Sequence, residues 1–395
     1  MPLGFLLHHP VVQAPMAGGA SRPELAAAVC EAGGLGFLAG GYKSTEALQE
    51  EVRALRALTP HPFGVNLFLP QNPSADPAAV ALYGEHLAGE AAWYSTPLGD
   101  PNRGGDDEFH AKLTLLVRDP VPMVSFTFGC PTREMLDALR EVGTVTAVTV
   151  TTPAEAVAAE AAGADVLCVQ GVEAGGHQGT HRDDPGQDGA VLGLLALLPQ
   201  VREAVDLPLV AAGGIVRGCQ IAAVMAAGAD AAQLGTAFLP CPESGAHRLH
   251  KKALTDPSFT HTELTRAFSG RPARGLVNRF MREHGPYAPA AYPQVHHLTA
   301  GLRRAAAAAG DAQGMALWAG QGHRLVREMP AGDLVRLLVD ELHEAWTHPY
   351  GTGAREQAGP SGTTTPGTTT PGTTAPVTTT PGAAATAAPA DGALG

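Results

Sequence analysis

With 395 residues the chain can bury a large core, and one α/β barrel with additions accounts for that length as well as two domains do. The formal charge of −12, from 38 acidic against 26 basic residues with no basic cluster, argues against a nucleic-acid surface and leaves small molecules as the expected partners. Cys30, Cys130, Cys168, Cys219 and Cys241 are scattered and form no C-x-x-C pair, which speaks against a disulfide framework and a zinc cluster. Residues 1–10 lack a charged leader, and no run reaches the roughly 18 apolar residues a membrane span needs, so the expectation is a cytoplasmic protein without membrane contact.

Apolar, β-branched runs of strand length recur along the chain: Val11 to Met16, Gly34 to Gly40, Phe63 to Leu69, Pro122 to Phe128, Thr144 to Val150, Asp165 to Gln170, Pro208 to Gly213 and Ala231 to Phe238. Between them lie Ala-rich pieces such as Arg22 to Ala32, Pro131 to Val142, Pro153 to Ala162 and Arg217 to Ala227. Their apolar residues fall at three-to-four spacing and glycine follows, the pattern of amphipathic helices with their stop signals. Eight such alternations predict an α/β fold, a (β/α)8 TIM barrel. The competing open doubly wound sheet wants G-x-G-x-x-G at the first helix, where this chain has Ala17-Gly-Gly-Ala-Ser21.

Two segments break the repeat, 70–119 and Pro240 to about Gly310, and both are expected over the barrel mouth, where βα loops open and substrate contacts arise. The expected organisation is a barrel over 1–240 with an insertion at about 70–119, a substrate-capping region with closing helices over 241–350, and a tail over 351–395. The tail's Thr-Thr-Thr-Pro-Gly repeats offer little apolar surface to bury, which predicts a disordered, dispensable segment.

Chemistry-bearing residues collect at the ends of the predicted strands. After the sixth comes Gln170-Gly-Val-Glu-Ala-Gly-Gly-His-Gln-Gly-Thr-His181, whose glycines permit close approach to a flat ligand. His177 is the one side chain among those glycines suited to proton exchange near neutral pH. Gln13 and Met16 end the first strand and Asn66 the third, while Gly213-Gly214 and Gly235-Thr236 follow the seventh and eighth. That last pair of turns occupies the place where barrels hold a phosphate with backbone N–H groups; one such turn alone is more often only tight-turn geometry, and two on neighbouring strands reverse that balance. His177 and His181 have the spacing of a helical zinc pair, but no third ligand is evident and no metal is expected. Cys130 has no base beside it and fits a small turn residue better than a nucleophile. Ser269, with Arg271 and Arg274 nearby, suits an anionic head group, and surface ion pairing explains those arginines equally; Tyr292 and Trp318 are candidate pocket walls.

Val12-Gln-Ala-Pro-Met16, Phe63-Gly-Val-Asn-Leu-Phe68, Glu173-Ala-Gly-Gly-His177, Ala212-Gly-Gly-Ile215, Gln233-Leu-Gly-Thr236 and Trp318-Ala-Gly-Gln-Gly322 together resemble the nitronate monooxygenases over roughly residues 9–347. The resemblance implies an FMN-containing barrel that oxidises alkyl nitronates such as propionate 3-nitronate with O2, yielding a carbonyl compound and nitrite. It places FMN against Met16, Asn66, Gln170, Gly175, Gly213, Gly214, Gln233, Leu234, Gly235 and Thr236, makes His177 catalytic, and leaves Ser269 and Tyr292 as substrate contacts. The flavin-dependent enoyl-acyl-carrier-protein reductases are similar in placing Glu-Ala-Gly-Gly-His after a strand and are the alternative. A non-catalytic flavin-binding protein would not need His177 in that loop.

Overall fold

The computed structural model describes residues 2–70, 75–103, 105–183 and 189–347; the tail expected over 351–395 lies outside the described residues. The strands are, in chain order, β1 (Val11–Gln13), β2 (Gly36–Ala39), β3 (Phe63–Phe68), β4 (Met123–Thr127), β5 (Val145–Val150), β6 (Val166–Gln170), β7 (Gly176–His177), β8 (Leu209–Ala212), β9 (Ala231–Leu234), β10 (Thr262–Thr265) and β11 (Ala273–Leu276). Eight of them form one sheet in the order β1-β9-β8-β6-β5-β4-β3-β2, every pair parallel. Its two edges meet: Gln13 N donates to Leu35 O at 2.9 Å and Leu35 N to Val11 O at 3.0 Å. That seam turns the sheet into a (β/α)8 barrel with no free edge.

Each of the eight predicted runs contains a barrel strand, shorter than the apolar run. At the first, Ala14 N still reaches Leu234 O at 2.9 Å, after which the chain leaves the barrel toward its mouth. At the last, Gly235 bends the chain into the short helix Thr236–Phe238. Helices start where local chemistry lets them. Thr132 and Thr152 accept from Met135 N and Glu155 N, satisfying N–H groups that the first turn leaves open. Leu3, Val12, Phe37, Met123, Val166 and Val210 cluster among the residues that fill the barrel's interior.

The long insertion divides in two. Its helix Phe109–Arg118 joins the barrel core through Phe109 and Leu116, beside Phe126 and Val65. Its helix Pro77–His86 instead packs on the later cap, Val80 and Tyr83 lying with Phe268, Phe280, Val295 and Leu298. Tyr83 Oη donates to Ala267 O at 2.8 Å across that contact. The cap adds what the repeat could not foretell, an antiparallel sheet in the order β10-β11-β7. Helix Ala331–Thr347 then returns to the barrel wall, where a Cβ on Gly218 would stand 2.3 Å from Leu338 O. The cap is therefore spliced between the eighth strand and the helix that closes the barrel.

Gln13 belongs to the seam and not to the mouth. It is fully buried, its Oε1 accepts from Phe37 N at 3.0 Å, and its Nε2 donates to Ser21 Oγ at 3.0 Å and to Ala14 O. Gln13→Leu strands the Phe37 N–H, so a loss of about 1–3 kcal/mol and a lower melting temperature are expected. An unchanged melt would show that the seam does not depend on this amide.

Candidate active site

Gln170 closes the loop that follows β6. Its Nε2 donates to His177 O at 3.2 Å and its Oε1 accepts from Gly179 N at 2.7 Å, so both ends of the amide hold the loop. Glu173 accepts from Leu194 N with both carboxylate oxygens at 3.0 Å, tying the same loop to the next helix. Pairing of β7 with β11 sets His177 opposite Ala273.

His177 Nε2 lies 2.9 Å from Ser269 Oγ, which in turn stands 3.2 Å from Arg271 O. A hydroxyl has one proton to give; when Ser269 gives it to that carbonyl, His177 carries its own proton on Nε2 and keeps a lone pair on Nδ1. The rings of Phe128, Tyr292 and Trp318 surround the imidazole, each centroid 5.7 Å away. Burial among them, reinforced by Arg271 and Arg303, pushes the His177 pKa down to about 3. The imidazole is therefore neutral at physiological pH, with the Nδ1 lone pair unprotonated.

Met16, Asn66, Gln170, Gly175, Gly213, Gly214, Gln233, Gly235 and Thr236 all line a single cavity of about 570 Å³ together with His177 and Ser269. Leu234 does not: its side chain faces the core between barrel and helices, and its carbonyl accepts from Ala14 N. Tyr292 stands behind the wall, reaching cavity-lining Tyr42 through a 3.2 Å contact between hydroxyls. Gly175 allows the Trp318–Gly322 segment to cross the loop, since a Cβ there would sit 2.5 Å from Gly320 N. The same segment is fastened by Gly320 N to Thr236 Oγ1 at 2.9 Å and by Gln321 N to Glu173 O at 3.0 Å.

Other sequence candidates have structural employment. Arg271 is fully buried with its Cζ 4.2 Å above the Phe128 ring, and it donates to Gln178 O and to Thr180. Arg274 donates to Val172 O at 2.8 Å and Thr262 O at 3.1 Å, so neither arginine is a surface ion-pairing group. His181 Nε2 donates to Thr149 O at 3.0 Å, away from His177. The Cys130 thiol is pushed up by burial, as a turn residue's would be. Missed altogether were Tyr42, Phe128, His296 and Arg303. His296 and Arg303 sit on helix Gln294–Ala308, whose sequence carries no motif, and only the cap's folding brings them over the barrel.

A closed parallel barrel with a glycine cradle after its last two strands and a half-buried, neutral histidine at the same mouth defines a cofactor-dependent barrel enzyme. The family model for nitronate monooxygenase matches residues 3–341. A nitronate monooxygenase of Pseudomonas aeruginosa is 42% identical over 351 residues, covering 85% of this chain and 97% of its own length. Among solved structures, a nitroalkane oxidase from Streptomyces ansochromogenes is 67% identical with a TM-score of 0.86, covering 88% of this chain and 100% of its own. FabK from Thermotoga maritima is more distant, 28% identical with a TM-score of 0.68, covering 88% of this chain and 96% of its own. The chain belongs to the nitronate monooxygenase family. It is accordingly an oxidoreductase, and its family is one of flavin enzymes that act on nitronates.

Two further rings share the state of His177. Burial holds His250, bonded to Trp318 O at 2.9 Å, down to about 4, and lowers His296 further, with help from Arg303. In the unfolded chain such rings protonate below about pH 6.5. Stability that is full above pH 6.5 is therefore lost progressively as pH falls toward the folded values. Melting temperatures should drop between about pH 7 and pH 4.5, and His296→Gln should flatten that slope by on the order of 1 kcal/mol per pH unit. Parallel slopes would mean that His296 titrates alike in both states.

Proposed function

We propose that this chain binds FMN non-covalently and oxidises small alkyl nitronates, propionate 3-nitronate among them, with O2 to a carbonyl compound and nitrite, His177 serving as the acid-base residue. The observation that carries the reading is the neutral imidazole fixed by Ser269 in the wall of a cavity that a glycine cradle also lines. The cradle suits a phosphorylated cofactor. Gly213 and Gly214 take φ of +130° and +70°, and a Cβ on Gly213 would come within 3.3 Å of Ala174 N and Gly171 O. Two adjacent turns suit one terminal phosphate, which favours FMN over FAD.

Asn66 lines the cavity with its amide locked, Nδ2 donating to Ser125 Oγ at 2.9 Å and Thr127 Oγ1 at 3.0 Å, as suits recognition of a heterocycle's edge. When bound, the flavin supplies the redox chemistry, taking electrons from substrate and passing them to O2. The protein's own residues handle the proton. With Nε2–H engaged by Ser269, the Nδ1 lone pair of His177 can take the proton from the carbon next to a nitro group, whose electron pair moves into the nitro group to form the nitronate. Trp318, Phe128 and Tyr292 give that base an apolar surround.

Mass analysis of the released cofactor should give FMN, and Gly214→Asp, which sets a carboxylate against the phosphate, should purify without flavin; a normally loaded variant would refute the cradle. Anaerobic addition of a nitronate should change the flavin spectrum promptly, whereas prompt reduction by NADH instead would favour the enoyl reductase reading. His177→Asn should keep its flavin and lose about 10²- to 10⁴-fold on a neutral nitroalkane, with a smaller loss on the preformed nitronate. Equal losses on both would make His177 a positioning group and not a base.

A further inference from the structure

The cavity is built for negative charge in a chain that is itself negative. Arg303 and Arg304 line it beside the neutral rings of His177, His250 and His296, and among the described residues no aspartate or glutamate does, against a formal charge of −12 overall. Flavin phosphate accounts for one anion at the glycine cradle. It does not account for Arg303, which keeps company with His177.

Arg303 Nη2 donates to His296 O at 2.9 Å and lies 3.3 Å from His296 Nδ1, while its Nε–H is buried without an acceptor. The groups that act on its charge are Tyr42, Arg304 and Tyr292, and no carboxylate is among them. Elsewhere in the cap such cations are neutralised, as Arg266 is by Asp183 at 2.8 Å and Arg279 by Glu90. Burial lowers the Arg303 pKa to about 10, which leaves it charged at neutral pH. Among the described residues no carboxylate pairs with this half-buried cation, and an entering anion recovers part of the cost of its desolvation. A chain of contacts joins it to the chemistry. The His296 ring stacks on Tyr42 at 4.2 Å, Tyr42 Oη is 3.2 Å from Tyr292 Oη, and the Tyr292 ring is 5.7 Å from that of His177.

We propose that Arg303 determines specificity at this site, holding the negative charge of the substrate in the part of the cavity it shares with His177, and so selecting the nitronate anion over the neutral nitroalkane. The proposal rests on the nitronate reading for its substrate. The charge recognition itself can be tested without turnover.

Sodium nitrate, a planar monoanion that the site cannot oxidise, is titrated calorimetrically into the flavin-loaded full chain and its Arg303→Gln and Arg303→Lys variants. Nitrate should bind the parent, weaken roughly ten- to hundredfold in Arg303→Gln, the worth of a charge-assisted hydrogen bond, and return in part in Arg303→Lys. The KM for ethyl nitronate should rise by a similar factor in Arg303→Gln with kcat little changed, while the KM for neutral nitroethane stays put. Should Arg303→Gln not fold, the parent still decides. Nitrate affinity carried by an arginine is flat from about pH 5.5 to 8.5, whereas affinity that requires protonating one of the cavity histidines falls by about tenfold per pH unit across that range and overturns the proposal. Absence of nitrate binding in the parent, equal binding in all three proteins, or equal KM increases for both substrates would also overturn it. Arg303-dependent nitrate binding in a protein that oxidises no nitronate would sink the functional reading and leave the anion site standing.

Discussion

Gln170 ends β6 with its amide turned onto the loop that follows, and the two bonds it makes there, to His177 O and Gly179 N, govern everything built above the barrel. A loop of this glycine content has many conformations to lose, and a side chain that ties both of its limbs removes most of them. With the loop closed, residues 176 and 177 can act as a strand and pair with β11. Through that pairing the cap gains its register on the barrel, and Ser269 comes within reach of the imidazole. The catalytic candidate is thus placed by the barrel and oriented by the cap, so that neither part alone defines the base.

The site maintains several unfavourable groups at once. His177, His250 and His296 are held uncharged by burial, while Arg271 and Arg303 remain charged among aromatic rings. The two arginines resolve their burial differently. Arg271 directs its guanidinium at Gln178 O and Thr180 in the loop after β7, with the Asp183 carboxylate favouring its charge, which stiffens the wall. Arg303 leaves Nε unsatisfied. Phe128, at φ +77°, adds local backbone strain beside them. Concentrated costs of this kind belong where function needs them, and the surrounding structure is correspondingly regular: an all-parallel sheet, capped helices, and a closing helix packed to backbone contact at Gly218.

The barrel was legible in the sequence because its signal is local and repeated. Strand-length apolar runs alternate with amphipathic helices eight times, and strand ends are marked by Asn66, Gln170, Gly213 and Gln233 whatever the rest of the chain does. Those marks brought nine of the expected cofactor residues to one cavity. Leu234 shows the limit of a motif, since alternation along a strand sends neighbouring side chains to opposite faces and only Gln233 and Gly235 meet the cavity. Gln13 shows another, because a buried amide at a strand end serves a barrel seam as readily as a mouth.

Residue order alone thus determined the eightfold repeat, the glycine turns and the presence of one acid-base group in the loop after β6. Only the tertiary structure decided the electrostatic character of the cavity. Tyr42 and Phe128 come from the loops after β2 and β4, and His296 and Arg303 from a cap helix, and no periodicity links them. The protonation state of His177 was equally out of reach, because desolvation and the charges of Arg271 and Arg303 act through space, over distances that sequence separation does not measure.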